Sequence, residues 1–169
     1  MGLREESGVL ELPSGGVMQR VVELSGAEPQ QIRALNFSVP RSEAIAFGRA
    51  RIRVTWDGAK EPSIDAPLAL FHGAGTLYNR DDREYLVKAF PVNVRYDAER
   101  VHLACYFPMP FERTAKIELL NEDADEIEDV RWSVRVAPLG RPMEHVGHFH
   151  ATYRDHLDPA KGEDMVLLD

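Results

Sequence analysis

Residues 51–67 read RIRVTWDGAKEPSIDAP, and their alternation decides the fold class. Ile52, Val54 and Trp56 share one face, and Arg51, Arg53 and Thr55 share the other. A period of two is the signature of a half-buried antiparallel strand. Asp57-Gly58 is a tight-turn dipeptide, because both residues tolerate positive φ. It predicts a hairpin between Ile52–Trp56 and Ile64–Leu68.

The same period recurs outward in both directions. Val101, Leu103, Cys105 and Phe107 alternate with His102, Ala104 and Tyr106. Val130, Trp132, Val134 and Val136 alternate with Arg131, Ser133 and Arg135. Further strand-like runs are Val17–Leu24, Ile32–Val39, Ile64–Leu70, Tyr85–Arg95, Thr114–Leu120 and His145–Tyr153. The arginines on the polar sides suit a solvated outer face or a subunit interface. Turns at 72–82, 121–129, 139–142 and 157–164 separate the runs, and the only helical signal is RSEAIAFGRA at 41–50. There Ser42 is the expected cap of a turn over Glu43–Phe47, ended by Gly48. Eight to ten short antiparallel strands around one core predict an all-β jelly-roll sandwich, with residues 1–169 as a single domain.

Composition narrows the partners. The chain is 44% apolar, enough for a packed core at 169 residues. Its net charge of −8 comes without a basic stripe, which disfavours nucleic acid and anionic membrane surfaces. Arg4, Glu5 and Glu6 stand where a signal peptide would need apolar residues, and no run approaches the ~20 apolar residues of a spanning helix. The expected location is the cytoplasm. Cys105, the one cysteine, falls on an apolar strand face and reads as a core residue.

Three groups of residues could carry chemistry. His148 and His150 have the i, i+2 spacing of strand-borne metal ligands, as in cupins, but a following glutamate and a glycine in register are missing. The expectation is therefore no metal and no cofactor, with a cupin-like metalloprotein on His148 and His150 as an alternative. Asp57, Glu61 and Asp65 lie around the hairpin, with Glu61 expected to be exposed on the turn, and glycoside hydrolysis needs a pair of carboxyl groups. Asp57 also suits the turn, and Asp65 a structural acceptor. Finally, Pro108 and Pro110 flank Met109 in CYFPMPFER, residues 105–113. Two prolines remove two ladder donors, which predicts a rim corner. Met109 and Phe111 would then dock on a neighbouring surface.

Several of these blocks resemble glycoside hydrolase family 172. Trp56, Asp57, Gly58, Pro62, Ser63, Asp65, Pro67 and Leu68 match its Trp-Asp-Gly and Pro-Ser-acid-Pro-Leu pattern. Tyr106–Phe111 matches an aromatic strand entering Pro-Met-Pro-Phe, and Phe149, His150, Ala151 and Arg154 match a late block. GTLYNRDDREYLVKAFP, 75–91, is similar to a loop of one branch. The likeness runs from Gly16 to Asp169. Ala69–His72 stand where Gly-Asp-Phe-Phe is frequent, and Asp65 where Glu is common.

The resemblance implies two tandem jelly rolls in a trimer or hexamer that act on α-linked fructofuranose or D-arabinofuranose without a metal. Its two catalytic glutamates lie in blocks like Trp-Gly-Glu-Gly and Gly-Thr-Gly-Thr-Glu, and neither block occurs in these 169 residues. The resemblance thus implies a first jelly roll without catalytic residues of its own, whose partners are a carbohydrate and a second jelly roll. Trp56, Asp57, Asp65, His150 and Arg154 are its substrate-binding candidates. Without a second half, the alternative is a non-catalytic carbohydrate-binding or assembly module.

Overall fold

The hairpin expected around Asp57-Gly58 forms, and it lies at the centre of the smaller of two sheets. The computed structural model describes residues 2–155 and 161–162. Its strands are β1 (Arg4–Leu12), β2 (Val17–Ser25), β3 (Gln30–Pro40), β4 (Arg51–Trp56), β5 (Ile64–Pro67) and β6 (Tyr85–Lys88). The rest are β7 (Val92–Tyr96), β8 (Arg100–Cys105), β9 (Met109–Phe111), β10 (Thr114–Asn121), β11 (Ile127–Pro138) and β12 (Ala151–Thr152). Two short helices, α1 (Ala44–Arg49) and α2 (Leu68–Phe71), complete the described elements together with two 3₁₀ turns.

The large sheet runs β1-β11-β3-β8-β7-β6, with β9 also on β3, and the small sheet runs β12-β5-β4-β10-β2. All pairings are antiparallel except β12 with β5. The two sheets make the all-β, jelly-roll-like sandwich that the alternation predicts. Ile52, Val54 and Trp56 point into the core, as do Val101, Leu103 and Cys105 from the facing sheet. Phe37 and Phe47 meet edge to face at 5.9 Å between ring centroids in the same core. Burial pushes the Cys105 thiol up to about 11, so it stays protonated within the core.

Several expectations change. The first is the proline segment. Met109 and Phe111 are 0% exposed and belong to this sandwich's own core, so they offer no docking surface. β8 leaves β3 at Cys105, opposite Leu35, and β9 rejoins the same strand with Met109 opposite Ile32. Tyr106–Pro108 therefore form an outward bulge within one interrupted strand. β9 pairs only with β3, so its outer edge has no ladder for Pro110 to break.

The second change is at the end of β5. The strand stops at Pro67, and Leu68–Phe71 turns helical because this apolar run lacks alternation. Third, Tyr85–Arg95 is two strands, with Ala89 N–H donating to the Val92 carbonyl at the turn. Fourth, His145–Tyr153 is mostly irregular, with strand only at Ala151–Thr152. α1 also differs from its prediction: no side chain caps it, and it runs through Gly48. A Cβ on Gly48 would lie 2.8 Å from Leu77 Cγ, so glycine is required by close packing. β1 carries no expected strand because its inward positions include Arg4 and Glu6, which mask the alternation. The expected turn at 157–164 lies outside the described residues except for Lys161 and Gly162.

Candidate functional site

Asp57 and Gly58 have φ of 53° and 72°, and Ala59 N–H donates to the Trp56 carbonyl at 3.0 Å. Positive φ at both central residues is the type I′ arrangement, which suits Asp followed by Gly. The turn aims the Asp57 carboxylate at the chain leaving β9. Oδ1 accepts from Arg113 N–H at 2.6 Å and Thr114 N–H at 2.9 Å, and Oδ2 from Glu112 N–H at 3.0 Å. His148 Nε2 lies 2.9 Å from the same Oδ2. Burial opposes ionisation of Asp57, but these three amides and His148 outweigh it and hold the carboxyl below its ordinary value.

Trp56 supports the same node from below. It is 1% exposed and lies between Phe111, at 6.5 Å and 7° from parallel, and His148, at 6.3 Å and 18°. Its Nε1–H donates to the Phe149 carbonyl at 2.9 Å. The Trp-Asp-Gly turn, the Pro-Met-Pro-Phe strand and the His148–Phe149 segment thus meet at one point. Trp56 is too deep to offer a face to a ligand, and Asp57 has little accepting capacity left.

Asp65 is arranged differently. On β5 it stands opposite Arg53, and Arg51 Nε donates to its Oδ1 at 2.8 Å. Arg53 Nε approaches Oδ2 at 3.2 Å without an aligned hydrogen bond. Tyr153 covers the Arg51 guanidinium at 5.9 Å, and Thr152 stands opposite Asp65 across β12. His150 is exposed, between Phe149 and Ala151 in the chain, and Arg154 is exposed just after β12. The structure brings Trp56, Asp57 and His148 together and sets Asp65 among arginines. The sequence reading missed that pairing of Asp65. Its signal was available, because the hairpin register places Arg53 opposite Asp65.

The two histidines do not share a strand face, because residues 147–150 have no ladder. Among the described residues, no group of three or more His, Cys, Asp or Glu side chains is placed to hold a metal ion. His72, fully buried below α2, was not anticipated either. Its Nδ1 lies 2.8 Å from the Leu68 carbonyl, while Nε2 has no partner among the described residues. Burial, only partly offset by that bond, lowers His72 to about 4, so the ring is neutral at pH 7.

The family model described as GH172 domain-like matches residues 14–134. The chain belongs to this family. The match spans the Trp56–Gly58 turn, Asp65 and the whole Pro108–Phe111 segment, and it stops before His148, His150 and Arg154. The GH172 domain-like family is glycoside-hydrolase-related. Comparison with curated proteins found no match. Two motifs within the matched segment, Trp-Asp-Gly and Pro-Met-Pro-Phe, are joined in this GH172-like domain by the Asp57 carboxylate and the Trp56–Phe111 stack. They hold the sandwich together. No described helix is long and apolar enough to cross a membrane.

Proposed function

We propose that this chain is the first jelly roll of a glycoside hydrolase-like protein acting on α-linked furanosides, fructofuranose or D-arabinofuranose. In this reading it serves as scaffold and as part of a substrate cleft. One observation carries it: Asp57 and Asp65 are committed to structure, and the third carboxylate of the hairpin, Glu61, stands exposed on its loop. Asp57 accepts three backbone amides and faces His148, and Asp65 faces Arg51 and Arg53. A general acid must hold a proton near neutral pH, whereas Asp57 is held ionised well below it. The glutamates that do the chemistry belong to a second jelly roll following Asp169. The same reading includes assembly as a trimer or hexamer.

The test is turnover of aryl α-D-arabinofuranoside and fructofuranoside. The 169-residue chain is expected to be inactive. Activity is expected once the chain is joined to a following glutamate-bearing half, and it should disappear when those glutamates become glutamine. Turnover by the 169-residue chain that is abolished in Asp65→Asn would sink the proposal.

A further inference from the structure

The outer face of the large sheet holds a trough of about 430 Å³ that shares only Tyr106 with the family motifs. Its floor is one cross-strand row: Ser133 on β11, Asn36 on β3, Ala104 on β8 and Asn93 on β7, each opposite the next. Two residues along each strand lies a taller row of Arg131, Ser38, His102 and Arg95, again in register. On the other side stand Arg135 and Tyr106, which the β8–β9 bulge pushes outward to 44% exposure. Strands ~4.8 Å apart make the four-strand floor about 14 Å long, and each wall row lies about 7 Å from it. That is a groove longer than one sugar ring, with a flat, stiff base.

Its chemistry distinguishes among ligands. Each wall arginine, and His102, already lies near a carboxylate. Arg131 pairs with Asp129 at 3.0 Å, Arg135 with Glu5 at 2.7 Å and His102 with Asp97 at 2.6 Å, while Arg95 lies 3.9 Å from Asp97. These carboxylates reduce the positive field over the trough, although Asp97 is shared by His102 and Arg95 and Asp129 by Arg131 and Arg100, so an anion gains less from it than from unpaired arginines. The donors are nonetheless held in place by those same pairs. On the floor, Asn36 Nδ2 donates to Ser133 Oγ at 3.1 Å, which leaves an amide oxygen acceptor beside a hydroxyl donor. Alternating donors and acceptors on rigid strands suit a ligand with many hydroxyls, each both donor and acceptor. A half-exposed tyrosine on the wall suits the C–H face of a sugar ring.

We propose that this trough binds a short neutral oligosaccharide, on the sheet opposite the one that carries Asp57 and Asp65. The furanose identity of that ligand rests on the function proposed above, but the trough itself does not. The test titrates the ¹⁵N-labelled chain with an arabinofuranose tetrasaccharide, with cellotetraose and with inorganic phosphate. Amide shifts centred on Ser133, Asn36, Ala104 and Asn93 with either tetrasaccharide uphold the site. Tyr106→Ala should then weaken binding about tenfold, the loss of roughly one good contact. Ala104→Gln should fill the floor and abolish binding while the melting curve stays in place. Shifts elsewhere, none up to the solubility limit of both sugars, or stronger shifts with phosphate would overturn it. The hydrolysis assay is independent. An empty trough beside active joined halves removes only this inference, and a sugar-filled trough beside inactive ones removes only the furanosidase reading.

Discussion

Asp57 and Asp65 belong to one hairpin and could be taken for equivalent acidic groups, yet they do opposite kinds of work. The Asp57 side chain is 13% exposed and accepts from three backbone amides fixed in position by β9 and β10. The Asp65 side chain is 28% exposed and meets two long arginine side chains on the small sheet's outer face. Backbone donors have lost their freedom already, so a carboxylate that satisfies them is strongly favoured. Arginine side chains must be ordered for the purpose, and solvent screens the result. A carboxylate's contribution follows from what it is bonded to more than from how many charges surround it.

The largest effect should come from the aromatic floor under the Asp57 node. Phe111→Ala is expected to lose about 3–5 kcal/mol, because it opens a cavity beside Trp56. Urea unfolding measures this. A loss under about 1 kcal/mol would mean that the segment is not core and would revive its docking role.

Acid titration separates the node from the other end of the hairpin, where β5 runs into α2 and His72. The His72 value in the fold is lowered from 6.5 to about 4, so protonation favours the unfolded chain. Its stability contribution is whole above the unfolded value, declines as pH falls from 6.5 towards 4, and levels off below that. The total is roughly 3 kcal/mol. The Asp57 value moves downward from 3.8, so its contribution is whole above that value and is lost only at lower pH. His72→Phe should flatten the upper limb and leave the lower one. An unchanged upper limb would show that another group causes it.

The smallest pair of effects is the comparison itself. Asp57→Ala should lose about 2–3 kcal/mol, since it strands amides and puts alanine at positive φ. Asp65→Asn should lose less than about 1 kcal/mol. Thermal melts of the two variants side by side decide it, and equal losses would break the distinction.

Much of this fold could be read from the chain because alternation survives wherever one sheet face is wet. Arg51–Trp56 and Val101–Cys105 are the clearest cases. β1 escaped notice because Arg4 and Glu6 occupy inward positions at a sheet edge, where partial exposure tolerates them. The prolines of 108–110 misled for a related reason. They mark an edge, and an edge strand can still bury both of its inward side chains. The partners of Asp57 lie far along the chain, at Glu112–Thr114 and His148, so only the folded topology brings them together. For Asp65 the register shows only Arg53 directly opposite, whereas its hydrogen-bond donor Arg51 lies diagonally, opposite Pro67.

β3 also carries a kinetic consequence. It is the one strand that pairs with β11, β8 and β9, and its link to β11 joins residues 97 apart in sequence, as between Asn36 and Ser133. Closing so long a loop must precede any gain from the contacts it permits, which places such topologies among the slow folders, at milliseconds to seconds. During that interval β3 exposes Ile32, Leu35, Phe37 and Val39 on an unpaired edge. A ribosome must release residues 127–138 before this strand gains its longest partner, so the nascent chain depends on β8 and β9 to cover it first.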